Sequence, residues 1–145
     1  DVFGRKDGKK VGKNDKLFEY ADTHPAPYSW LASGAQTILS YNGKIKIGEN
    51  ESPTVIESFG EEFLGNNKSY VEAWRDAHIR VYDYYKDSWF WHISKTKNAY
   101  QNLKGAAAAV KEDGIWQLYH FKLDKKHKRG DEVTEEHWVK FVRNK

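Results

Sequence analysis

Six histidines in a chain without cysteine or methionine are the first residues to ask for chemistry. Imidazole is the side chain whose unperturbed charge change falls between pH 5 and 8. His92 and His120 stand at the centres of two segments that read as strands, where they would face each other across a sheet. Lys or Arg from the basic run at 122–129 would then steady an anionic transition state. That arrangement describes a slow His-dependent hydrolase or nuclease, with His92 and His120 as its candidate catalytic residues. Adding Asp22 or His24 would complete three metal ligands. No H-E-x-x-H or H-x-H spacing accompanies them, so no metal site is expected. His78 lies along the apolar stripe of a helix and reads as a hydrogen-bonded core residue, whereas His127 and His137 read as solvated.

Other chemistries lack their residues. Without cysteine there is no disulfide framework, thiolate zinc site, iron–sulfur ligation or cysteine nucleophile. No serine stands in a G-x-S-x-G elbow, and neither G-x-x-x-x-G-K-[ST] nor G-x-G-x-x-G is present to cradle phosphates. Glu57, Glu61 and Glu62 fall close together but suit the solvated start of a helix better than paired acid–base work. No cofactor is therefore expected, and the reading favoured is a non-catalytic binding or interaction domain.

Two sets of residues are candidates for such binding. Trp89, Trp91 and Trp116 would form a stacking platform if the core leaves them exposed. Lys125, Lys126, Lys128 and Arg129 form a basic patch after the last predicted strand. Tyr119, Phe121 and Trp116 lie near that patch and invite a nucleic-acid reading, with bases stacked on rings and phosphates on cations. Asp124, Asp131, Glu132, Glu135 and Glu136 dilute the field, however, and 24 basic against 21 acidic residues leave a net charge of only +3. A protein or carbohydrate partner is accordingly expected ahead of nucleic acid. The acidic stretch 49–62 is a further candidate surface. No apolar run approaches the roughly 20 residues of a membrane span. The missing Met and the triplets Asn50-Glu51-Ser52 and Asn67-Lys68-Ser69 lean towards a secreted or otherwise processed segment of a longer chain.

The elements that must position these residues follow from pattern. Residues 1–16 carry six Lys or Arg and three Asp with few apolar side chains, and read as a flexible basic arm. Residues 17–145 form a single domain. It begins with a short strand at 17–21, a Pro-rich extension and a helical turn at 28–34. Asn42-Gly43 is a type I′ hairpin signal joining strands 38–41 and 44–47. Thr54 with Glu57, and Ser69 with Glu72, are capping boxes that open helices at 55–64 and 69–85. Ile56, Phe59, Phe63 and Leu64 line the first helix, which Gly65 is expected to end. Val71, Trp74, Ala77, His78, Val81 and Tyr85 line the second, with an Asp76–Arg80 pair on its polar face. Alternation predicts a strand over 89–94. Asp113-Gly114 predicts a hairpin of 106–112 with 115–123, and a short closing helix starts at Thr134 with Val133 and Trp138 as a hydrophobic staple. The expected class is α+β, an antiparallel sheet built from the two hairpins and the 89–94 strand, covered by the two adjacent helices.

Residues 35–47, the F-G-E-E-F-L run at 59–64 and the Y-V-E-A-W-R-D-A run at 70–77 resemble the C-terminal half of caspase-like (gingipain-type) peptidase domains. The alanine-rich strand at 106–110 extends the likeness over about residues 15–125. The resemblance implies an alternative fold, a mostly parallel α/β sheet. The family's cysteine would fall near Asp22-Thr23-His24, where this chain has none, so the likeness implies a fragment or an inactive relative.

Overall fold

The computed structural model describes residues 5–6, 9–10, 36–41, 53–87 and 93–141. In chain order these form β1 (Arg5–Lys6), β2 (Lys9–Lys10), β3 (Thr37–Tyr41), α1 (Val55–Gly60), α2 (Tyr70–Asp87), α3 (Ile93–Gly105), β4 (Ala106–Glu112), β5 (Ile115–Phe121) and β6 (Trp138–Phe141). β1 and β2 pair with each other, while the main sheet runs β3-β4-β5-β6 with every described ladder antiparallel. The class is α+β, and none of the described pairings is the parallel ladder of the alternative.

The Ala run shows why composition and structure agree here. Four consecutive alanines favour a helix by propensity alone, yet Ala106, Ala107, Ala108 and Ala109 alternate between the two faces of β4 and are all buried. On one face Ala106 sits opposite Tyr41, and Ala108 opposite Leu39 and Tyr119. This is the face that α2 and α3 cover, through a core of Val81, Tyr82, Tyr85, Tyr100, Leu103, Phe121 and Val133. On the other face Ile38 and Leu118 flank Ala107 and Ala109, and all four are buried as well. The small alanines leave room for the larger Tyr41, Leu39, Ile38 and Leu118 of the flanking strands to pack beside β4. At the turn, Asp113 and Gly114 take φ values of 51° and 79°, both left-handed as a type I′ hairpin requires.

The 38–41 strand exists and pairs with β4. Asn42-Gly43 and residues 44–47 lie outside the described residues, as do the expected strand at 17–21 and helical turn at 28–34. The first helix starts on Thr54, whose hydroxyl accepts from the Glu57 N–H at 3.2 Å. Its last turn widens into a π-helical turn, Glu61–Gly65, and the helical stretch ends at Gly65 with Asn66 as its C-cap. The left-handed residue of the exit is Asn67, at φ 53°. Ile56 and Leu64 point outwards, so Phe59 and Phe63 alone of the expected stripe turn towards α2. Ser69 caps α2 as expected, accepting from Glu72 N–H at 3.2 Å.

Asp76 and Arg80 do not pair with each other. Lys68 Nζ bridges Glu62 at 2.6 Å and Asp76 at 2.7 Å, while Arg80 reaches back to Glu61 and Glu62. Each already has other partners: Arg75 and Lys68 hold Asp76, and Glu61 and the nearly buried Glu62 hold Arg80. Hydrogen bonding from Lys68 holds the Glu62 carboxyl below its ordinary range. For Asp76, burial pushes the pKa up, but the bonds from Arg75 and Lys68 outweigh it and leave the carboxyl lowered.

The expected strand at 89–94 is overturned at its end, since Ile93 and Ser94 open α3; residues 88–92 are outside the description. Thr96, Ala99, Tyr100 and Leu103 are the buried side of α3, at helical spacing. The closing helix is a single 3₁₀ turn, Glu135–His137, which gives way to β6. The β-favouring Trp138 and Val139 outcompete a second helical turn because they satisfy the free edge of β5. Val133 is buried and Trp138 packs beside the same core, as the staple positions required.

Candidate functional site: a pinned cationic loop

β5 and β6 are joined by a basic connection, residues 122–134, that folds over the hydroxyl ends of two core tyrosines. Asp124 Oδ1 accepts from the backbone N–H groups of Lys126 and His127, at 2.8 and 2.9 Å. Asp131 Oδ2 accepts from the Lys128 N–H at 2.8 Å, and the Asp131 N–H returns to the Lys128 carbonyl at 3.0 Å. These are Asx-type contacts, in which a short carboxylate replaces a missing ladder partner. Gly130 has φ 101°, a conformation an L side chain rarely adopts. Its N–H donates to the Tyr82 hydroxyl at 2.9 Å, and that hydroxyl donates to the Asp131 carbonyl at 2.6 Å.

A second tyrosine holds the middle of the loop. His127 Nε2 lies 2.9 Å from the Glu132 carbonyl, which can only accept, so Nε2 carries the hydrogen. Nδ1 is then the acceptor for the Tyr100 hydroxyl at 2.7 Å. His137 Nδ1 accepts the Thr134 N–H at 3.0 Å, and the two imidazoles meet edge to face with centroids 5.6 Å apart. Both histidines are half-buried and bonded, correcting the expectation that they are solvated. Burial pushes the Tyr82 phenol up to about 12 and raises that of Tyr100, with the carboxylates of Asp131 and Asp124 adding to the latter. Both hydroxyls therefore remain protonated donors at neutral pH.

Asp124 and Asp131 are exposed but bonded to the loop's own amides, while the loop's cations make no such bonds. Lys125, Lys126, Lys128 and Arg129 are all exposed, and among the described residues none of them has an ion-pair partner. Lys122 is exposed one turn earlier, and Lys104 lies over the Tyr100 ring, 4.7 Å from its centroid. The rings beneath are sealed: Tyr82, Tyr100 and Phe121 are 0%, 7% and 5% exposed, so these three offer no stacking face.

Trp89, Trp91 and His92 lie outside the described residues. Trp116 belongs to β5 and stands opposite Lys111 on β4. His120, also on β5, is half-buried with Nδ1 3.1 Å from the Phe121 carbonyl, and burial lowers its pKa. Among the described residues, no group of three His, Asp or Glu is placed to hold a metal, and no helix is long and apolar enough to cross a membrane.

Sequence reasoning had picked out the four cations but missed the tyrosines that fix them. Tyr82 extends the α2 stripe one position, four residues after His78, and was recoverable from that spacing. Tyr100 belongs to the unrecognised helix α3. The chain matches no family model, no curated protein and no solved structure.

Proposed function

We propose that this chain is a non-catalytic binding domain whose docking surface is the cationic loop at 122–132. The observation that supports it is the division of labour within the loop. Asp124 and Asp131 are held against its own amides, Tyr82 and Tyr100 fix its backbone from below, and Lys125, Lys126, Lys128 and Arg129 face outwards. A preorganised loop loses less conformational entropy when a ligand orders it, so its cations bind more tightly than the same charges on a slack segment. Fixed positive charge also speeds encounter with an anionic partner in a salt-dependent way.

The test replaces Lys125, Lys126, Lys128 and Arg129 together by Gln and measures binding to three polyanions: heparin, poly-L-glutamate and a short DNA duplex. Wild-type binding to at least one of them, lost in the variant with an unchanged denaturation midpoint, is the expected result. Equal binding by both proteins would overturn the assignment of the loop. Phosphodiesterase turnover by the wild type that is abolished in both His92→Ala and His120→Ala would overturn the non-catalytic reading.

A further inference from the structure

We infer that the ligand class of this loop is a sulfated polysaccharide, a flexible chain of anionic sugars rather than a duplex or an acidic peptide. The inference rests on the proposed docking role and goes on to the identity of what docks. Its first support is the order of residues 125–129, Lys-Lys-His-Lys-Arg. The middle residue is turned inwards by its bonds to Tyr100 and the Glu132 carbonyl, which leaves two outward pairs of cations separated by one inward position. Short basic clusters of this kind are recognised by nucleic acid or by heparin-like chains, and the surroundings decide between them.

Three features of the surroundings favour the sugar. First, Tyr82, Tyr100 and Phe121 lie buried beneath the loop, so among the described residues these rings give splayed bases no platform. Second, the positive footprint is short and bounded. Glu132, Glu135 and Glu136 are all exposed immediately after it, and would repel the closely spaced phosphates of a rigid duplex laid across the loop. A flexible strand can engage the cations and leave past the carboxylates. Third, the amides of Lys126, His127 and Lys128 are already used by Asp124 and Asp131, so no backbone nest is left to grip a single phosphate or a C-terminal carboxylate. Binding must come from separate side-chain charges, and three of the four are lysines. Each lysine is a point charge on a flexible stem, able to follow anionic groups spaced along a chain.

The deciding experiment measures affinity for heparin, poly-L-glutamate and a short DNA duplex at the same ionic strength, then repeats the heparin titration across a range of NaCl. Heparin is expected to bind at least about tenfold more tightly than either competitor. Replacing Lys125, Lys126, Lys128 and Arg129 by Gln is expected to weaken heparin at least about tenfold and to reduce the slope of log K against log salt by about 3. If the duplex or poly-L-glutamate binds as tightly as heparin, and the variant loses that binding, the sugar assignment falls while the loop remains the docking surface. If the variant binds every polyanion as the wild type does, or the wild type binds none, both fall together.

Discussion

Among the described residues a tyrosine–histidine hydrogen bond occurs in two places, and the two differ in what surrounds them. At the junction of β3 and α2, Tyr41 OH donates to His78 Nε2 at 2.8 Å, and His78 Nδ1 donates to the Trp74 carbonyl at 2.7 Å. His78 is 1% exposed, and its ring packs edge-on against Tyr41 and Trp74. Burial drops its pKa to about 4 and pushes the Tyr41 phenol well above its ordinary value. The second pair, Tyr100 with His127, has nearly the same length but a half-exposed imidazole and a loop of free cations beside it. One pair locks a helix onto a sheet. The other locks a surface into one shape. The chemistry of the bond is shared, so burial and neighbouring charge decide its role.

That contrast is broken most severely by His78→Ala, which removes two buried bonds and leaves a cavity under α2. A loss of about 3 kcal/mol or more is expected in urea denaturation, whereas His127→Ala should cost about 1 kcal/mol. Equal losses at the two sites would erase the distinction. The pH dependence sharpens it. The unfolded His78 takes up a proton near 6.5 and the folded one only near 4, so folding stability is full above about 6.5 and falls as pH drops through that window. On the order of 3 kcal/mol is lost across it. The stability–pH curve of His78→Gln should lack this component, and a parallel curve for the two proteins would contradict the assignment.

A smaller effect is expected from Tyr82→Phe. It strips the Gly130 N–H of its acceptor and the Asp131 carbonyl of its donor, at a cost of about 1–2 kcal/mol. Hydrogen exchange should accelerate in residues 124–132 and leave the sheet unchanged. Acceleration spread over the whole chain would show that the tyrosine supports the core rather than the loop. The smallest effect belongs to Lys68→Met. The Glu62 and Asp76 carboxylates lose their shared cation, but Arg80 and Arg75 remain beside them, so a loss of about 1 kcal/mol or less is expected. A much larger loss would make the ionic bridge between the π turn and α2 a structural equal of the His78 pair.

Much of this was legible because local signals and tertiary needs agreed. The capping residues Thr54 and Ser69, the α2 stripe and the Asp113-Gly114 turn each state their element in a few residues, and each element is present. Legibility failed where the deciding partner is remote. Residues 138–141 become a strand because the edge of β5 is open, which no local pattern reveals. The π turn at 61–65 places Glu62 between Lys68 and Arg80, and the second of these lies 18 residues away, beyond any local spacing. Helix α3 was hidden for another reason: its buried face begins with Thr96, a polar residue whose hydroxyl caps the Tyr85 carbonyl at 2.9 Å, so an apolar count passes over it. The cations of the site could be read directly from 125–129. The fact that they are held in place could not, because their anchors come from α2 and α3.

The claim that preorganisation rather than charge alone makes the loop a binding surface is tested by a variant that changes no charge at all. Tyr82→Phe combined with Tyr100→Phe keeps every lysine and arginine and removes both anchoring hydroxyls. Heparin affinity, measured at physiological ionic strength where the variant is folded, is expected to fall at least about fivefold while its salt slope stays the same, because the contacts survive but the loop must be ordered on binding. An affinity equal to that of the wild type would contradict the account and reduce the loop to a patch of charge.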